Sequence, residues 1–262
     1  MKKLLIVMLS ILVISQAAYA YDLNNIPMVF VKGGCFQMGD IFNEGLKEEN
    51  PVHKVCVSNF SIGKYEVSQA LWKEVMGDNP SEFKGDNNPV DNVSWDDVQG
   101  FIKKLNEKTG MTYRLPTEAQ WEYACRGGGK NVRYSGTNIK EELSFYAWYS
   151  DNSVNGTHAI GQKRPNELGI YDMTGNVWEW VMDVYNQNAY AVHRGNNPVY
   201  EAAGIYRVNR GGSWYDEPQA VSCSFRDLGT QGDRVSNVGF RIVSTPERVP
   251  ANHWEMKGLL EK

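Results

Sequence analysis

The residues with the widest chemical repertoire in this chain are four cysteines, Cys35, Cys56, Cys125 and Cys223. As thiolates they hold soft metals such as copper(I); as oxidised pairs they staple a fold. Four cysteines allow three disulfide connectivities, and composition does not choose among them. The four histidines, His53, His158, His193 and His253, are far apart and include no His-x-x-x-Glu pair. An iron site built on them is therefore not expected.

The compartment decides which cysteine chemistry is open. Lys2 and Lys3, the apolar run Leu4 to Ile14, and Ala18-Tyr19-Ala20 read as a secretory signal peptide over residues 1–20. The mature chain would begin at Tyr21, exported to the periplasm or beyond. The apolar run is too short for a bilayer span of roughly 20 residues, and no later run is long enough, so no membrane span is expected after cleavage. An even cysteine count in an exported chain favours disulfides. Cleavage removes two of the 27 basic residues and none of the 31 acidic ones, taking the formal net charge from −4 to −6. No basic stripe is visible, which excludes a nucleic-acid backbone as partner.

The elements that must position these residues are short. Met28 to Met38 reads as strand, turn and strand, and Val52 to Tyr65 as two extended runs around Asn59. Helices are expected from Ser68 to Met76, from Ser94 to about Gly110, and from Thr117 to Gly127-Gly128-Gly129. Ser94 and Thr117 open the last two with capping-box patterns. From Asn131 to Val243 helix signals fade into Gly, Asn and aromatic residues, with long connections of the kind that are functional or pinned. Residues 21–245 form one domain, and 246–262 a C-terminal tail.

An ordered set of motifs runs through that domain. It includes Gly33-Gly34-Cys35-Phe36-Gln37-Met38-Gly39, Tyr65-Glu66-Val67-Ser68, Arg114-Leu115-Pro116-Thr117-Glu118, Gly175-Asn176-Val177-Trp178-Glu179-Trp180, Arg210-Gly211-Gly212-Ser213-Trp214 and Gly239-Phe240-Arg241. Together they resemble the sulfatase-modifying-factor family, the formylglycine-generating-enzyme domain, over roughly residues 28–243. The resemblance implies an α+β fold with a C-type-lectin-like core and little regular secondary structure.

The family's oxidase binds copper(I) through two cysteines a few residues after the Arg-Gly-Gly-Ser motif. Here Asp216 and Pro218 stand near those positions, and neither supplies a thiolate. Copper is therefore not expected. The resemblance also implies a Cys125–Cys223 disulfide, closing a loop for which chain entropy suggests ~4–5 kcal/mol, and leaves Cys35–Cys56 as the second pair. It implies a structural calcium site formed by the Asp172 and Glu179 carboxylates with the Gly175 and Val177 carbonyls, since calcium takes hard oxygens.

Two functions follow from the resemblance. One is a binding protein without oxidase activity, holding a peptide, protein or cell-envelope component where the oxidase holds its substrate. The other is an oxidative maturation enzyme, making formylglycine or oxidising a secreted metabolite. In that case Asp216, Glu217 and Arg226 would be the charged groups available for acid–base work.

Overall fold

Four short alternating runs near the N-terminus make strands β1 (Met28–Val31), β2 (Gly34–Met38), β3 (His53–Val57) and β4 (Phe60–Gly63). Helix α1 (Gln69–Met76), helix α2 (Trp95–Thr109), strand β5 (Tyr113–Arg114) and helix α3 (Glu118–Cys125) follow. Strand β6 (Trp178–Val184), the one-turn helix α4 (Ala189–Val192), and strands β7 (Tyr206–Arg210), β8 (Arg226–Thr230), β9 (Val238–Phe240) and β10 (Val243–Ser244) complete the chain. This computed structural model describes residues 21–245 apart from Arg194. The signal peptide read at 1–20 and the tail at 246–262 lie outside the described residues. Among the described residues no helix is long and apolar enough to cross a membrane.

The helices begin and end where their caps dictate. Ser68, Ser94 and Thr117 each accept a backbone N–H from the first turn, satisfying donors that have no partner inside the helix. Gly77 and Gly110 close α1 and α2 in the left-handed conformation, at φ 90° and 71°.

Strand pairing is less local. β1 and β2 are separated by two residues yet do not pair with each other. β2 pairs with β3, while β1 joins an antiparallel sheet in the order β1-β4-β10-β5. There β10 lies between strands more than a hundred residues earlier, with Val243 facing Ile62 on one side and Arg114 on the other. The third sheet runs β8-β7-β6-β9, and its β6–β9 pair is parallel.

Two apolar clusters hold these layers together. In one, α2 buries Val98, Phe101, Ile102 and Leu105, the stripe expected of an amphipathic helix. Trp72 stacks on Phe101 at 5.2 Å, and Phe240 meets Phe101 edge-on at 5.3 Å. Such aromatic pairs contribute about 0.5–1.5 kcal/mol each beyond their burial. The other cluster packs the β2–β3 hairpin against α3 and the third sheet, through Phe36, Val55, Trp121, Val181 and Val208. Helix α3 is buried on all sides, including Glu118 and Glu122. Buried carboxylates demand partners, and theirs define the site.

Candidate functional site

Glu118 and Glu122 are both 0% exposed and face three arginines. Arg226 grips Glu118 through two bonds of 2.7 Å. Arg210 donates to Glu122 at 2.5 Å, and Arg126 donates to the same carboxylate at 2.9 Å. Burial alone pushes Glu118 upward, but Arg226 and Arg210 outweigh it and hold the group below the ordinary carboxylate range. Asp183 caps the same helix by accepting the Glu118 N–H at 2.7 Å. Burial, then the Glu118 charge, pushes Asp183 up to about 7. Arg210 also donates to the carbonyls of Ser224 (2.6 Å), Phe225 (2.5 Å) and Cys223 (2.8 Å). The network therefore fixes the chain that leaves the Arg210-Gly211-Gly212-Ser213 turn and returns as β8.

That returning segment forms one wall of a cleft. Asp216 organises its turn: one carboxylate oxygen accepts from the Ser213 amide at 3.0 Å and from the Ser213 hydroxyl. Tyr215 is 69% exposed, Pro218 is buried, and the Gln219 amide donates to the Glu44 carbonyl at 2.9 Å. The facing wall is the loop after β2, where Asp40 accepts the amides of Phe42 and Gly45. Arg133 pairs with Glu44 at 2.6 Å and lies over the Phe42 ring at 5.2 Å. Its Nε is buried without a partner. The enclosed space, about 220 Å3, is edged by Phe42, Arg133, Tyr134, Pro218, Gln219 and Ser222. It offers aromatic rings, a guanidinium donor and hydroxyls.

The chain forms two disulfides. Cys125–Cys223 ties the end of α3 to the cleft wall, and Cys35–Cys56 joins directly opposed residues of β2 and β3. All four cysteines of the chain are thereby oxidised. Two of the three charged residues read as acid–base candidates have other partners. Arg226 is locked to Glu118, Asp216 is held by Ser213, and Glu217 is exposed on the loop.

The four residues read as calcium ligands occupy one buried corner, but Glu179 is spent there. Its two oxygens accept Arg241 Nε at 2.9 and 2.7 Å, Arg241 Nη2 at 2.6 Å, and Trp121 Nε1 at 2.7 Å. Three N–H donors therefore compete with a metal for that carboxylate and leave it at most one free lone pair. Asp172 accepts the Gly161 amide at 2.7 Å through one oxygen, and its other oxygen is buried without a partner. The set Asp172, Gly175, Val177 and Glu179 thus lacks a carboxylate that calcium would need, and it does not fit the ion as arranged. Glu66 is the residue the motif reading left without a role. It is fully buried, accepts from Asn176 Nδ2 at 2.6 Å and from the Val177 amide at 3.2 Å, and orients that whole turn. Burial, with the charges of Asp172 and Glu179, pushes its carboxyl well above the ordinary range. Burial likewise lifts Asp172 to about 6, against the Gly161 amide that opposes it.

The histidines, far apart in sequence, are not all far apart in space. His53 Nε2 lies 3.2 Å from His193 Nδ1. His53 Nδ1 faces the Pro51 carbonyl at 3.0 Å, which fixes a proton there and leaves Nε2 to accept from His193. Burial pushes His193 down to about 4. Separation along the chain carries no information on such a pairing, which β3 and the segment after α4 create.

The family model described as "Sulfatase-modifying factor enzyme 1-like domain" matches residues 17–246. This chain belongs to that family. A chaperone protein, LppX of Paenibacillus barcinonensis, is 31% identical, with 82% of this chain and 88% of the relative covered. The mouse formylglycine-generating enzyme is 32% identical over 68% of this chain and 50% of its own length. The serine/threonine-protein kinase pkn1 of Chlamydia pneumoniae is 30% identical, and the match spans only 37% of it. Among solved structures, Treponema denticola variable protein 1 aligns at a TM-score of 0.76 with 32% identity, covering 84% of this chain and 95% of that one. PvdO from Pseudomonas aeruginosa aligns at 0.70 with 26% identity, covering 83% and 94%. The fold is accordingly the α+β, formylglycine-generating-enzyme-like one. For a member of this family the motif residues now have physical roles. Glu118, Glu122, Arg210 and Arg226 form one buried network, and Glu179 and Arg241 form another.

Proposed function

We propose that the chain is an exported member of the family that holds a polypeptide segment of a secreted or cell-envelope partner in the cleft between Phe42, Arg133 and the Pro218–Ser222 wall, and that it carries out no copper-dependent oxidation. The observation that carries this reading is the state of the sulfurs. All four cysteines stand in disulfides, and Asp216 and Pro218 stand near the positions where the resemblance puts the oxidase's thiolate pair. Copper(I) needs soft ligands, and this chain has no thiolate left to offer. Two disulfides support export, because oxidised pairs persist outside the cytosol. The relative that carries the name of a chaperone supports a polypeptide as occupant.

The test is a peptide-library binding screen on the disulfide-intact protein, repeated with Gln219→Trp. Gln219 is exposed at the mouth, so the indole obstructs the cleft without disturbing the core. Selected peptides are expected to bind the parent and lose at least tenfold in affinity to the variant. Equal binding to both rules the cleft out. Oxygen uptake with copper(I) and a cysteine-containing peptide is expected to stay at background, and turnover there overturns the non-oxidase reading.

A further inference from the structure

A second cleft, of about 460 Å3, shares no lining residue with the first. Lys47, Glu48, Asn50 and Pro51, on the approach to β3, form one wall. Gln187, Asn188 and Ala191, before and within α4, form the other. The contact between His53 and His193 joins the two walls, since His53 stands two residues after Pro51 and His193 two after Ala191.

Little else ties the second wall down. Residues 187–193 run between two anchors: the Asn186 carbonyl accepts Arg226 at 3.2 Å, and the Gly195 carbonyl accepts the Cys56 amide at 2.7 Å. Among the described residues, the segment itself bonds to groups outside 186–195 through two side chains. Tyr190 donates to Glu118 at 3.2 Å, and His193 meets His53 at 3.2 Å.

The histidine pair has no place for an added proton. In the neutral pair one proton sits on His53 Nδ1, facing the Pro51 carbonyl, and one lies between His53 Nε2 and His193 Nδ1. The remaining lone pair is that of His193 Nε2, which is buried without a hydrogen-bond partner. Whichever ring takes a third proton, the pair then carries an N–H at that atom with no acceptor. The surrounding charges do not compensate. Glu118 and Glu122 of α3 favour a cation at His193, while Arg226 of β8 and the His53 ring oppose it. Glu118 is already engaged by Arg226 and by the Tyr190 hydroxyl. Lys47 and Glu48 on the opposite wall carry opposite charges.

We propose that the His53–His193 contact is an acid-labile strut: it holds α4 against the approach to β3 at neutral pH, and on acidification it parts, so that residues 187–193 swing between their anchors and the cleft opens. Burial holds His193 down at about 4, whereas an imidazole released into water takes its proton near the ordinary 6.5. The closed form therefore loses ground as pH falls through 6.5, and the loss is complete near 4.

Hydrogen exchange of the disulfide-intact protein at pH 8 and pH 5, corrected for the intrinsic pH dependence of exchange, reads the opening. Peptides covering 187–193 are expected to lose protection about thirtyfold at pH 5, the effect of one imidazole moving between those two values. Protection of α2 is expected to hold or rise, because Asp172 and Asp183, at about 6 and about 7, bind protons more tightly in the folded chain. In His193→Gln the carboxamide can still donate to His53 but does not titrate, so the ratio between the two pH values is expected to stay near one. Ring NMR of the wild type needs no variant, and His193 is expected to titrate below pH 5. A change under threefold in 187–193, the same thirtyfold change in His193→Gln, or a His193 midpoint near 6.5 each overturns the proposal.

Discussion

Arg226, the first residue of β8, and Glu118, the first residue of α3, meet in two parallel bonds of 2.7 Å, with both side chains 0% exposed. This pair, 108 residues apart in sequence, nails the segment returning from the cleft to the helix beneath it. Breaking it from one side leaves a charge buried without a partner, which costs about 3–5 kcal/mol, whereas replacing both by apolar residues costs far less. Arg226→Met is expected to lose that amount in urea unfolding, and Arg226→Met with Glu118→Leu to recover much of it. Equal losses in the single and double variants would show that the pair is not the anchor.

Much of the local structure was legible in the sequence, because caps act within a turn. Ser68, Ser94 and Thr117 announced their helices, and Gly77 and Gly110 their ends. The pairing of β10 between β4 and β5 was not, since nothing in Val243-Ser244 names Ile62 or Arg114 as a neighbour. The motifs marked the family but not their own roles. Glu122 and Arg210 stand 88 residues apart and become one ion pair only in three dimensions. Glu179 illustrates the limit: its motif suggested a calcium ligand, while Arg241, in a different motif, takes both its oxygens. His53 and His193 were separated on the same one-dimensional grounds and lie in contact.

The buried acids make stability depend on pH in a defined direction. Asp172 titrates at about 6 in the folded chain against an ordinary 3.8. The folded state therefore holds this proton more tightly than the unfolded one. The stability it contributes is complete below about pH 4 and lost as pH rises through 6. Asp172→Asn removes that dependence and suits the site, since residue 172 has φ 55°, a left-handed conformation asparagine tolerates. Urea unfolding from pH 4 to 7 should show wild type losing on the order of 3 kcal/mol relative to the variant. Parallel curves would contradict the assignment.

The two disulfides should contribute unequally. Cys125–Cys223 spans 98 residues and Cys35–Cys56 spans 21. Loop-closure entropy predicts losses of ~4–5 and ~3 kcal/mol for the paired alanine replacements. Guanidinium unfolding of the two double variants checks the order, and a reversed order would indicate that native-state packing outweighs chain entropy.

Closing the Gly175 turn to a side chain should be costly in the same assay. Gly175 adopts φ 80°, and a Cβ there would lie 2.1 Å from the Trp148 carbonyl. Gly175→Ala is expected to destabilise by more than about 1–3 kcal/mol, the range for left-handed strain alone, because the backbone clash adds to it. A loss under 1 kcal/mol would mean that the turn moves freely.

The proposed lack of copper chemistry in this member of the family rests on its sulfurs, and a thiol titration of the purified protein under denaturing, non-reducing conditions, with a peptide map, tests it most directly. The account predicts no free thiol, with Cys35 linked to Cys56 and Cys125 to Cys223. Two free thiols at Cys125 and Cys223 would contradict it and return copper(I) binding to the candidate functions.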